Sequence, residues 1–133
     1  MPEKKTLEES HEAKREGKSP STQAGPFVKE EMEHIREGKH GARSTKQAIA
    51  IGLSKARRAG VALAPPKKGQ ASASMRRKAA QDVRKGHAPK RPSPKRSRAT
   101  TGALKREGRQ AASRTALARQ ARSAAQRRRA RRA

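Results

Sequence analysis

The 133-residue sequence predicts a mostly α-helical chain with extensive disorder, a short helical hairpin plus a basic Ala/Arg-rich tail, and no large core. Three observations lead there. Only twelve residues are Leu, Ile, Val or Phe, about 9 per cent of the chain, and a share below roughly 20 per cent combined with high net charge is the composition of disordered proteins. Eight of those twelve fall between Phe27 and Leu63, so a folded unit has one place to form. The net charge is +25, from 36 basic and 11 acidic residues, and its distribution is uneven. Residues 1–37 hold nine acidic and seven basic side chains, whereas residues 38–133 hold 29 basic and two acidic. A nearly neutral head thus precedes a body that repels itself and calls for a polyanion.

Residues 1–25 form a charged N-terminal segment. Thr6 and Glu9 have capping-box spacing, and Gly17 before Pro20 marks a stop. With Leu7 as its one large apolar residue, this helix is expected to be marginal and to have nothing to pack against. Residues 26–63 form the helical-hairpin module. Gly25 and Pro26 open its first helix, Glu30, Glu31 and Glu33 lie in the first half, and Gly38 closes it. Val28, Met32 and Ile35 fall on one face. In the second helix, Ser44 and Gln47 form a capping pair, Ile49, Leu53 and Ala56 make a stripe, and Gly60 is the stop, with Val61 folding back towards Ala56. Such a module is just under the roughly 40 residues below which chains need help to stay folded, so it is expected to firm up on binding or self-association.

Residues 64–98 read as a Pro/Lys/Arg-rich linker. Pro65, Pro66 and Gly69 interrupt regular structure, a short helix is expected from about Ser74 to Lys85 with Gly86 as its stop, and "HAPKRPSPKRSR" is broken by prolines. Residues 99–133 contain eleven alanines and ten arginines. Alanine favours helix, but arginine on every face denies it a packing partner, so this tail is expected to be disordered, or helical on binding. The strings "KREGKSPSTQAG" at 14, "IREGKHGARSTKQAI" at 35 and "KREGRQAASRTALA" at 105 echo one another, through convergent helix-cap chemistry or through duplication.

The charge pattern directs the functional reading. Ser44 starts a helix whose unpaired N–H groups lie beside Lys39, His40, Arg43 and Lys46, while Lys55, Arg57 and Arg58 crowd its far end, so both ends suit phosphates. Lys67 and Lys68 follow the double proline. Lys95 and Arg96 belong to "SPKR", a pattern that resembles the minor-groove turns of histone tails. The tail offers Arg106, Arg109, Arg114, Arg119, Arg122, Arg127, Arg128, Arg129, Arg131 and Arg132, and resembles the basic C-terminal domains of linker histones and bacterial histone-like proteins. Phe27 is the sole aromatic residue, so stacking platforms for single strands are missing.

Other classes find little support. There is no cysteine for a disulfide or thiolate site. His11, His34, His40 and His87 are scattered, and Glu30, Glu33 and His34 are expected to face outward on a helix without a pocket, so no catalysis, metal, cofactor or small-molecule substrate is expected. No apolar run approaches a membrane span, "MPEKKTLEES" lacks a secretory apolar region, and Leu104 and Leu117 are the tail's only large apolar anchors, so no membrane partner is expected either.

Between residues 18 and 69, "KSPSTQAG", "FVKEEMEHIREGKHGARSTKQAIAIGLSKARRAGV" and "PPKKG" together resemble a small basic proteobacterial family of unknown function, some of whose members are labelled plasmid-stabilisation or histone-like proteins. The chain departs from that family's pattern at Pro26, where an acidic residue is usual, and at Ala62, where a lysine is usual. The resemblance implies a bacterial cytoplasmic setting and no activity. The expectation is therefore a nucleoid-associated, histone-like protein that binds nucleic acid without sequence preference, DNA being favoured over RNA. RNA or ribosome association, and a protein-interaction or plasmid-maintenance role for residues 26–63, are the alternatives.

Overall fold

A computed structural model of the chain describes residues 2–87 and 93–132 and overturns the expected disorder and isolated hairpin. Six α-helices follow in order: α1 (Lys4–Arg15), α2 (Pro20–Arg36), α3 (Thr45–Arg58), α4 (Ala73–His87), α5 (Pro94–Lys105) and α6 (Arg114–Arg132), with a 3₁₀ turn at Gln110–Ala112 before the last. Counting large apolar residues missed the reason. Of the eleven buried apolar residues described, seven are alanines: Ala24, Ala42, Ala48, Ala56, Ala79, Ala111 and Ala112. Small side chains let backbones approach closely, so little apolar volume is needed to fill the gaps. Met1–Glu31 with Ala50–Pro92 form one compact unit and Met32–Ile49 with Ser93–Ala133 a second, so α2 and α3 each lend a segment to both.

In the first unit, Ala24 and Phe27 of α2 meet Ala56 of α3 and Val61 beyond it, with Leu7, Leu53 and Leu63 packed around them. Leu7 gives α1 the partner that was not expected. The Glu3 N–H donates to Glu30 Oε1 at 2.7 Å, and Glu30 is buried rather than outward-facing. Helix α2 begins six residues earlier than Gly25-Pro26 suggested, because Pro20 takes the first helical position and Ser19 Oγ accepts the Thr22 N–H at 3.3 Å. Pro26 consequently lies inside the helix. Where α2 meets α3, a Cβ on Gly52 would fall 2.7 Å from Val28 Cα, so only glycine permits this approach. The end of α3 is as expected: Gly60 has φ of +101°, and the Val61 N–H donates to Ala56 O at 3.0 Å.

Helix α4 extends through Gly86, which is not a stop. A Cβ there would fall 2.1 Å from the Arg57 carbonyl oxygen, and this proximity explains the residue. Asp82 on the same helix accepts from Ser54 Oγ at 2.7 Å and Arg58 Nε at 2.9 Å on α3, and from Lys78 Nζ at 2.8 Å.

The second unit joins two of the echoed strings. Backbone N–H groups of Gly41 and Ala42 donate to Leu104 O at 2.8 Å and Gly108 O at 2.9 Å. A Cβ on Gly41 would fall 2.0 Å from Glu107 O, so the loop before α3 also depends on a missing side chain. Thr45 Oγ1 donates to Ala111 O at 2.6 Å, and Arg36 Nε to Ala112 O at 3.0 Å. The expected proline-broken linker falls partly on residues 88–92, outside the described residues; from Ser93 the chain caps α5, with Ser93 Oγ accepting the Arg96 N–H at 3.2 Å. The expected tail is also ordered. Ser113 Oγ accepts the Ala116 N–H at 3.1 Å and starts α6, on which Ala116, Leu117, Gln120, Ser123 and Ala124 are half-buried while the arginines are exposed. Arginine does not occupy every face: positions 116, 120, 123 and 124 lie on one side at helical spacing and carry no charge.

Candidate nucleic-acid interface

The two ends of α3, which read alike in the sequence, differ in chemistry. At its start, Ser44 Oγ accepts the Gln47 N–H at 3.1 Å while Gln47 Oε1 accepts the Arg43 N–H, an offset form of the expected capping pair. Arg43, Ser44 and Lys46 are exposed. Lys39 is also exposed, with an ion pair to Glu37 at 3.2 Å.

At the far end the cations are engaged. Lys55 forms an ion pair with the fully buried Glu31, and Arg58 pairs with Asp82 at 2.9 Å. Arg57 is only 7 % exposed, and its guanidinium donates to Leu63 O and Ala64 O at 3.1 Å each, tying down the chain after α3. Burial pulls the Arg57 pKa below its ordinary value, and the charge of Asp82 opposes that shift. For Asp82, burial acts first and would raise its pKa. The hydrogen bonds from Lys78, Ser54 and Arg58, with the charge of Lys78, outweigh it and hold the pKa below the ordinary carboxylate value. Clustered in sequence, these cations form internal ties in the structure.

The remaining candidates are spread over the surface. Lys67 and Lys68 are exposed in the loop after α3, and Lys95 and Arg96 are exposed in the first turn of α5, so "SPKR" is a helix start here. Arg106 is exposed, and Arg109 donates to Arg36 O at 3.4 Å. On α6, Arg114, Arg119, Arg122, Arg127, Arg128, Arg129, Arg131 and Arg132 are all exposed. The helix has 19 residues, and at 1.5 Å per residue its axis runs about 28 Å. Overall the second unit carries 18 basic and three acidic residues, against 18 and eight in the first.

One concave feature lies within that cationic unit. An open groove of about 420 Å³ is lined by Arg43, Ser44, Thr45 and Lys46 at the start of α3, by Gln110 and Ala111 of the 3₁₀ turn, and by Ala116, Arg119, Gln120 and Ser123 of α6. Arg119 thus joins Arg43 and Lys46 across more than 70 residues of sequence, a convergence that no local pattern signals. Residues 14–68 match a family of unknown function (DUF6496). That stretch is less than half of the chain and includes the start of α3 but not α6. No curated protein and no solved structure gives a significant match.

Proposed function

We propose that this protein binds nucleic acid without reading base sequence, in the manner of a nucleoid-associated, histone-like protein, and that it does so without catalysis. The observation that carries this reading is the solvent-facing set of arginines on α6, held on a helix whose other side is uncharged and half-buried. Arginine presents planar forks that match phosphate oxygens, and it suits minor-groove insertion as well as backbone contact. Phe27, the one Phe, Tyr or Trp residue, is fully buried, so no large hydrophobic ring faces solvent to form a stacking platform for unpaired bases. That favours duplex DNA over single strands and over RNA loops. A bacterial nucleoid setting follows from the family resemblance and belongs to the same proposal. Among the described residues no helix is long and apolar enough to cross a membrane.

The test is the affinity of the full chain for a duplex of random sequence, measured by fluorescence anisotropy across a range of salt concentrations with structured RNA as competitor. Phosphate-led binding gives a plot of log affinity against log salt with a slope steeper than about −5, indifference to duplex sequence, and weaker competition by RNA. A shallow slope, or affinity confined to one sequence, rules the reading out.

A further inference from the structure

Diffuse attraction of a polycation to a polyanion needs no site, and if it were the whole story any three exposed cations would be interchangeable. The groove beside α6 argues against interchangeability. It gathers Arg43 and Lys46 from one element and Arg119 from another, its lining contains no carboxylate, and its remaining polar residues, such as Ser44, Gln110 and Gln120, are neutral. No ion pair among the described residues engages Arg43, Lys46 or Arg119, whereas Lys39 and Lys55 nearby in sequence have Glu37 and Glu31.

The frame of the groove is also fixed. Thr45 Oγ1, on a residue 8 % exposed, donates to Ala111 O, and Ser113 caps α6 two residues further along. These bonds hold the backbones bearing the three cations in a set relation before any ligand arrives. Preorganised charge binds more strongly than charge on a mobile chain, because less conformational freedom is lost on contact.

We infer that the groove lined by Arg43, Lys46 and Arg119 is the anchoring phosphate site of the interface, where consecutive backbone phosphates of one strand of duplex DNA seat. The inference rests on the nucleic-acid reading above and adds a location to it. The arginines from Arg127 to Arg132 then add attraction along the duplex, and the groove sets where the chain engages.

The experiment compares three full-length proteins on the same random duplex: wild type, the groove variant R43Q/K46Q/R119Q, and a control of equal charge change, K4Q/K14Q/K29Q, whose lysines are exposed in the first unit. Far-UV circular dichroism establishes that each keeps its helix content, which is expected because none of the substituted side chains is buried. The groove variant should lose about three from the magnitude of the salt slope, one for each phosphate contact removed, and the control should lose less than one. Equal losses in the two variants would overturn the anchoring site and leave nonspecific binding standing. Absence of wild-type binding even at low salt would overturn both.

Discussion

A carboxylate withdrawn from water is stable only when donors surround it, and Asp82 has Ser54, Arg58 and Lys78. Its pKa is depressed in the fold. The resulting stabilisation is full above the unfolded value near pH 3.9 and is lost as pH falls through the lower folded value. Urea denaturation below about pH 4 should therefore show a fall in stability with acidification that is shallower in D82N. At pH 7 that variant should be destabilised by about 2 kcal/mol, a moderate figure because Arg58 and Lys78 remain near water; an unchanged midpoint would mean that the three donors contribute nothing net. Thr45 provides a second single-residue test. T45V preserves shape but leaves Ala111 O without its donor, at a cost of about 1–2 kcal/mol. Of these pairings only Lys78 with Asp82, four residues apart on one helix, has a spacing that sequence can show; Asp82 lies 24 residues from Arg58 and 28 from Ser54. Arg57 illustrates the limit further: its acceptors are backbone carbonyls, which carry no residue signature.

At the scale of elements, α3 was the most legible because its start and stop are chemical: the Ser44 cap, the Gln47 return bond and the glycine at 60 define Thr45–Arg58 within a residue of the expectation. Helix α2 was misread at its start because Pro26 looked like a first-turn proline while Pro20 had already taken that role. Helix α6 was misread because its uncharged face consists of alanine, serine and glutamine, which a count of large apolar residues ignores. The same small-residue logic makes glycines diagnostic. Gly52 sits where a methyl group would meet the α2 backbone, so G52A should cost about 1–3 kcal/mol through overpacking. Gly102, inside α5, would place its Cβ no closer than 3.7 Å to a flexible arginine, so G102A should stabilise by about 0.5–1 kcal/mol. Thermal denaturation of the two variants must shift in opposite directions; a G52A midpoint that does not fall would contradict the close approach at Gly52, and a G102A midpoint that falls would contradict the space available at Gly102.

For the whole molecule, the packing that organises the helices must hold together a chain of net charge +25. Self-repulsion destabilises such a fold, and salt relieves it by screening. The melting temperature of the free protein should therefore rise with ionic strength. On the proposed function, duplex DNA that binds the folded form supplies the missing negative charge and should raise the melting temperature further, adding about 2.7 kcal/mol of stability at a hundredfold excess over Kd. Salt then acts in the opposite sense, since it weakens binding steeply. Melting curves recorded by circular dichroism with and without duplex should be far apart at low salt and converge at high salt, one rising while the other falls. A free protein whose stability is indifferent to salt would show that self-repulsion of the +25 charge contributes nothing net to its stability. A DNA increment that survives high salt would show that the contact is not made through phosphates. The opposing signs distinguish a polyanion-binding fold from a merely basic one, because charge that serves only solubility gives the rising curve without the falling one.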